Sequence, residues 1–181
     1  MQRHYYRRIL VMKKLIISSA IAMTMTAGSA MASQGDVQFF GNVTAETCDL
    51  ISEIDGAVNN TIQLGTVKVG ADGDEKRFSF KKAPGANCTA AAAKNATITW
   101  SGNLGAEGII KQSGLAEGAY VELKPENGTN TNAITASNTT TEFDKSKLDS
   151  EGYKFTAKLM ANKATTPGDF QSAAAYAVTY Q

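Results

Sequence analysis

Few residues in this sequence could do covalent or metal chemistry. There is one histidine, His4, and there are two cysteines, Cys48 and Cys88. A pair of thiols can hold a metal, supply a nucleophile or oxidise to a disulfide. Structural zinc takes four nitrogen and sulfur ligands, and two thiols with no histidine nearby are a poor start on that set. A nucleophilic cysteine needs a base beside it to form its thiolate, and the only imidazole lies at the extreme start of the chain. Serines and carboxylates are plentiful, but nothing in their spacing suggests a catalytic arrangement, and no glycine-rich loop is built to cradle phosphate. No enzyme and no cofactor are expected, and the cysteine pair reads as structural.

The compartment supports that reading. Lys13 and Lys14 precede an apolar run diluted by Ser and Thr, which ends in Ala30-Met31-Ala32. A basic start, an apolar centre and small residues at the cut describe a secretory signal. The run is shorter than the roughly 20 apolar residues of a membrane span. Residues 1–32 are therefore expected to be a signal peptide, with the mature chain beginning at Ser33. Met12-Lys13-Lys14 would itself serve as a start, so residues 1–11 are either a long leading segment or a misplaced start. Removing 1–32 takes away His4, five basic residues and no acidic one, and the formal charge moves from +1 to −4. A mildly acidic chain without basic clusters argues against a nucleic-acid partner. An even cysteine pair in an exported chain favours one disulfide.

The remaining length suits one domain with a real core. Its pattern is a series of short alternating runs: 36–44, 61–65, 77–81, 96–100, 119–123, 154–159 and 175–180. Alternation rich in Thr, Val and aromatics predicts half-buried strands. Turn signals lie between them, including Asp55-Gly56, Pro84-Gly85, Asn127-Gly128 and Pro167-Gly168. The expected class is an all-β antiparallel sandwich. The Asn- and Thr-rich stretch 128–141 is expected to be an exposed loop or edge strand, and the alanine-rich stretch 89–94 a short helical turn.

Several segments resemble the pilin subunits of chaperone–usher fimbriae. They are Gly35 to Val43 leading into Thr47-Cys48, then Leu64-Gly65, and the end from Ala174 to Gln181 with its penultimate tyrosine. Lys82 to Cys88 and Ile98 to Gly102 look most like the major subunits of sialoglycolipid-binding enterotoxigenic fimbriae. The resemblance implies an immunoglobulin-like sandwich that lacks its last strand and is completed by a donated one. It implies a donor extension at 33–40 and a pilin domain at 41–181. A periplasmic chaperone would lend a strand, an outer-membrane usher would pass the subunit outward, and the extension of an identical subunit would replace the lent strand at the cell surface.

By this resemblance Gly35, Val37 and Phe39 would be the donor residues. Val37 and Phe39 also fit as part of the subunit's own first strand. Gly168, Tyr176, Val178, Tyr180 and Gln181 would form the groove and chaperone-contacting end, and the same strand also reads as ordinary core. A host glycoconjugate is the alternative partner, bound directly by the subunit. For an acidic sugar the candidate contacts are Lys154, Lys158 and Lys163, with Trp100 or a tyrosine stacking. Spaced lysines on a strand are equally a solvated face, and a single tryptophan is equally core.

Overall fold

The computed structural model describes residues 48–86, 88 and 93–181. The expected signal segment, the extension 33–40, the run 36–44 and most of the stretch 89–94 lie outside the described residues. The elements run β1 (Leu50–Ile54), β2 (Ala57–Val58), β3 (Ala71–Asp72), β4 (Lys76–Lys82), β5 (Asn95–Gly102), β6 (Ile109–Ile110), β7 (Ala119–Pro125), β8 (Thr140–Asp144), α1 (Ser146–Ser150), β9 (Tyr153–Ala161) and β10 (Ala174–Tyr180). Period-2 alternation explains most of them, because successive side chains of a strand face opposite sides. In β4, Phe78 and Phe80 point inward between basic and polar neighbours. In β9, Tyr153, Phe155 and Ala157 are buried while Lys154, Thr156 and Lys158 are partly exposed.

Pairing is antiparallel throughout. Among the described residues one sheet runs β2-β1-β4-β9-β7-β6, with β3 added beside β9, and the other runs β10-β5-β8. Their inner faces meet in an aromatic layer. The Phe78 and Phe155 rings stack at 5.5 Å, and Trp100 of the second sheet meets Phe155 edge-on at 5.3 Å. Phe143 of β8 packs on Tyr153 at 4.9 Å. This is an all-β, immunoglobulin-like sandwich whose sheets are joined by rings. Truncating a ring such as Phe155 to alanine should cost about 3–5 kcal/mol.

The run 61–65 departs from expectation, since it forms no strand. Its alternation is real: Ile62 and Leu64 are half-buried against the core and their neighbours are exposed. It pairs with no strand among the described residues, and alternation alone does not make a ladder. The stretch 128–141 is irregular until β8 begins at Thr140, a strand that among the described residues pairs only with β5. Ile134 anchors it, fully buried, with its N–H donating to the Leu123 carbonyl at 2.8 Å. The short helix α1 is started by Asp144, which accepts from the Ser146 N–H at 2.8 Å and hydroxyl at 2.7 Å. It buries Leu148.

The outer face of the larger sheet is a mosaic of ion pairs. Lys81 meets Glu53 at 2.5 Å across β4 and β1, and Lys158 meets Asp72 at 2.9 Å across β9 and β3. Arg77 reaches both Glu75 at 2.8 Å and Glu126 at 2.9 Å. Within β7, Lys124 pairs with Glu122 at 2.7 Å.

Cys48 and Cys88 form a disulfide with a Cα–Cα distance of 4.4 Å and a sequence separation of 40. It ties the lead-in to β1 to the segment between β4 and β5. Replacing both cysteines with serine should lower the unfolding free energy by about 4 kcal/mol, since the loop-closure entropy returns to the unfolded chain. A urea titration of the two oxidised and mutated proteins checks this, and equal midpoints would contradict it.

Candidate functional site: the open edge of the three-stranded sheet

Strand β10 is the last strand of the chain and, among the described residues, lies at one end of its sheet. Its register with β5 runs from Ala174 opposite Gly102 to Tyr180 opposite Ala96. Among the described residues no strand pairs with its other side. An edge of this kind displays main-chain N–H and C=O groups that can pair with another strand.

What backs the edge is apolar. Val178 is 1% exposed, and Tyr176 and Tyr180 pack half-buried against the core. The Tyr176 ring lies 4.1 Å from that of Phe80 and 5.8 Å from that of Trp100. A strand from one sheet thus rests directly on the aromatic layer of the other. On the opposite face Ala175, Ala177 and Thr179 are exposed. The strand's end is well held, because the Gln181 carbonyl accepts from the Lys94 N–H at 2.7 Å and the Asn95 N–H at 3.0 Å. The Gln181 N–H donates to the Asn95 carbonyl at 2.9 Å.

The tyrosines carry the site's electrostatics. Burial pushes the Tyr180 hydroxyl up to about 12. Burial also raises Tyr176, and it raises Tyr153, whose hydroxyl lies in the field of Tyr180. An ionised phenol in this layer would lack the solvation that water provides.

Of the residues read from sequence, Tyr176, Val178, Tyr180 and Gln181 come together here. Gly168 does not lie on the strand; it sits in a bend before it. A Cβ at Gly168 would fall 2.5 Å from the Leu115 Cβ and 2.9 Å from the Ala116 nitrogen. Its glycine is thus explained by the close approach of two loops. Phe80 and Trp100, which floor the edge, carry a recoverable signal: both are inward positions of alternating strands. Trp100 is 6% exposed and belongs to the core. Gly35, Val37 and Phe39 lie outside the described residues.

The three lysines are spread along one side of the molecule. Lys154 and Lys158 are four positions apart on β9, roughly 13 Å along a strand. Lys163 lies past the strand's end, its Cγ 3.3 Å from where a Cβ on Gly70 would be. Lys154 is paired with Glu151 at 2.5 Å, and Lys158 with Asp72 at 2.9 Å. Lys154 also lines a shallow depression of about 230 Å³ with Glu53, Asp55, Arg77, Ser79 and Glu126. Among the described residues no group of three or more His, Cys, Asp or Glu side chains could hold a metal ion.

Fold and edge together define a class: immunoglobulin-like β-domains whose terminal strand is uncovered on one side among the described residues. Comparison with known proteins narrows it. The chain is 52% identical over 172 residues to the F107 fimbrial protein of Escherichia coli, covering 94% of this chain and 100% of that one. It is 29% identical to the K99 fimbrial protein of Escherichia coli, over 93% of this chain and 99% of the relative. It is 28% identical to the Major MR/P fimbria protein of Proteus mirabilis (strain HI4320), over 94% and 99%. No family model matches the chain. The chain belongs to the family of fimbrial proteins and is a structural subunit of a surface fimbria.

The buried tyrosines give a pH dependence with a definite sign. Their folded-state pKa values lie above the unfolded value near 10, so the native state resists losing these protons. The stability they contribute is complete below about pH 10 and is lost as pH rises toward about 12, the value reached by Tyr180. Tyr180→Phe should flatten that decline without introducing one below pH 9. Thermal melts by circular dichroism from pH 8 to 12 test it, and equal slopes for both proteins would contradict it.

Proposed function

We propose that this chain polymerises by donor-strand exchange. In this reading the signal peptide 1–32 is removed, the extension 33–40 acts as donor, and the domain 41–181 of a second identical copy is the acceptor. In an extended strand Gly35, Val37 and Phe39 would share one face, and that strand would enter beside β10 with the apolar side chains of Val37 and Phe39 toward the aromatic floor. The observation that carries the reading is that β10 gives its inward side chains to the core while hydrogen-bonding on one side only among the described residues. The segment 61–65, which pairs with no strand among the described residues and turns Ile62 and Leu64 to the core, supports it.

Strand addition suits both components. Main-chain hydrogen bonds fix the guest strand, and its alternate side chains fill apolar pockets. A bare edge invites unselective pairing. A periplasmic chaperone that covers it until an outer-membrane usher passes the subunit outward fits the physical need. The fimbria at the cell surface would then serve adhesion to host cells. Direct recognition of a sialylated glycoconjugate by this subunit has less support, since Lys154 is paired with Glu151 at the end of α1 and Lys158 with Asp72 of β3.

Gel mobility tests the polymerisation. Unheated full-length mature chain should run as a ladder that collapses on boiling, and removal of 33–40 should abolish it. Val37→Asp should leave the chaperone-bound monomer intact and stop the ladder, because a carboxylate would have to enter an apolar pocket. Normal ladders from the truncated chain would defeat the proposal, while normal ladders from Val37→Asp alone would remove Val37 from the donor strand.

A further inference from the structure

The sequence Asn127-Gly128 carries a reaction of its own. With no Cβ on Gly128 to shield it, its main-chain nitrogen can attack the Asn127 Cγ. A C–N bond forms, the bond from Cγ to Nδ2 breaks, and ammonia leaves. Water then opens the five-membered ring at either carbonyl, giving aspartate or isoaspartate. Water is the only other reactant.

The fold holds the two reacting groups on different neighbours. Asn127 lies just past β7, where the Glu126 N–H donates to the Lys154 carbonyl at 2.8 Å. The Asn127 side chain continues this ladder in place of main chain. Its Nδ2 donates to the Gly152 carbonyl at 3.0 Å, and its Oδ1 accepts from the Lys154 N–H at 2.8 Å. The amide also helps to hold the Glu151 carboxyl down at about 2, behind the larger effects of Lys154 and Lys147. Gly128 belongs to the other sheet's surroundings. A Cβ there would fall 2.8 Å from the Thr141 Cγ2 and 3.0 Å from the Asn130 carbonyl oxygen. The next residue, Thr129, is tied to the Glu142 carbonyl by its N–H at 2.8 Å. Bringing Cγ onto the Gly128 nitrogen requires breaking both side-chain hydrogen bonds or moving a main chain that has no room.

We propose that Asn127-Gly128 is a latent deamidation site that folding silences, and that its conversion permanently marks a copy that has opened. Aspartate at 127 would set a carboxylate against the Gly152 carbonyl, where a donor now sits, and beside the Glu151 carboxylate. Two acceptors facing each other in a half-buried corner are unfavourable. Isoaspartate would add a methylene to the main chain beside Gly128, where Thr141 and Asn130 leave no space. Either product hinders clean reclosure of the corner between β7, β9 and α1.

The test uses the full chain with its disulfide oxidised, held at mildly alkaline pH with and without urea. Peptide mass spectrometry follows the amide at Asn127. Loss through a rare open state should make the folded chain at least about tenfold slower than the denatured one. Asn127→Asp should lower the urea midpoint of the folded protein. Equal rates in folded and denatured chain, or an Asn127→Asp midpoint equal to that of the parent, would overturn the proposal. If Asn127→Asp does not fold, the rate comparison on the unmodified chain still decides it.

Discussion

Strand β10 must be core and edge at once. Its inward side chains rest on Phe80, Trp100 and the rest of the aromatic layer, so its position is set by packing across the sandwich. Its main chain is held from the β5 side alone among the described residues. Apolar burial at roughly 25 cal/mol per Å² is non-directional and fixes how deep a strand sits better than how it is aligned. Alignment comes from the register with β5 and from the Lys94 and Asn95 N–H groups at Gln181. Packing thus fixes the depth of β10 and pairing with β5 fixes its alignment, while among the described residues its other side meets no strand.

The disulfide and the aromatic layer divide the work of stabilising the domain. The ring contacts among Phe78, Phe80, Trp100, Phe155 and Tyr176 link the two sheets at the centre. The disulfide packs against the same core and ties the point where β1 begins to the segment by which the chain leaves β4 for the second sheet. The covalent tie limits the freedom of the unfolded chain and so adds to what burial supplies.

The strands at 77–81, 96–100, 119–123, 154–159 and 175–180 were legible because one side of each is apolar and the other is not, and the structure lengthens each slightly. β1 was not legible, since its most buried residue is Ser52 and its apolar Leu50, Ile51 and Ile54 are only half-buried. β8 was hidden for a related reason: Thr141, 1% exposed, occupies a core position that the sequence presents as polar. The run 61–65 carried a strand's alternation without a strand partner among the described residues, and a partner is not a local property. The terminal tyrosines of the candidate site could be read from alternation. The separation of Gly168 from them, and the pairing of Lys158 with an aspartate eighty-six positions away, depend on tertiary approach alone.

The ion-pair mosaic on the larger sheet has a consequence at longer range. Arg77, Lys81, Lys124, Lys154 and Lys158 each have a carboxylate within 3 Å. Exposed pairs of this kind add little stability. Viewed from beyond a Debye length of about 8 Å, however, opposite charges so close together nearly cancel. The face is strongly hydrated yet projects almost no monopole. Two copies brought side by side through such faces would meet little charge repulsion there, since each of these cations already has its counter-charge in place.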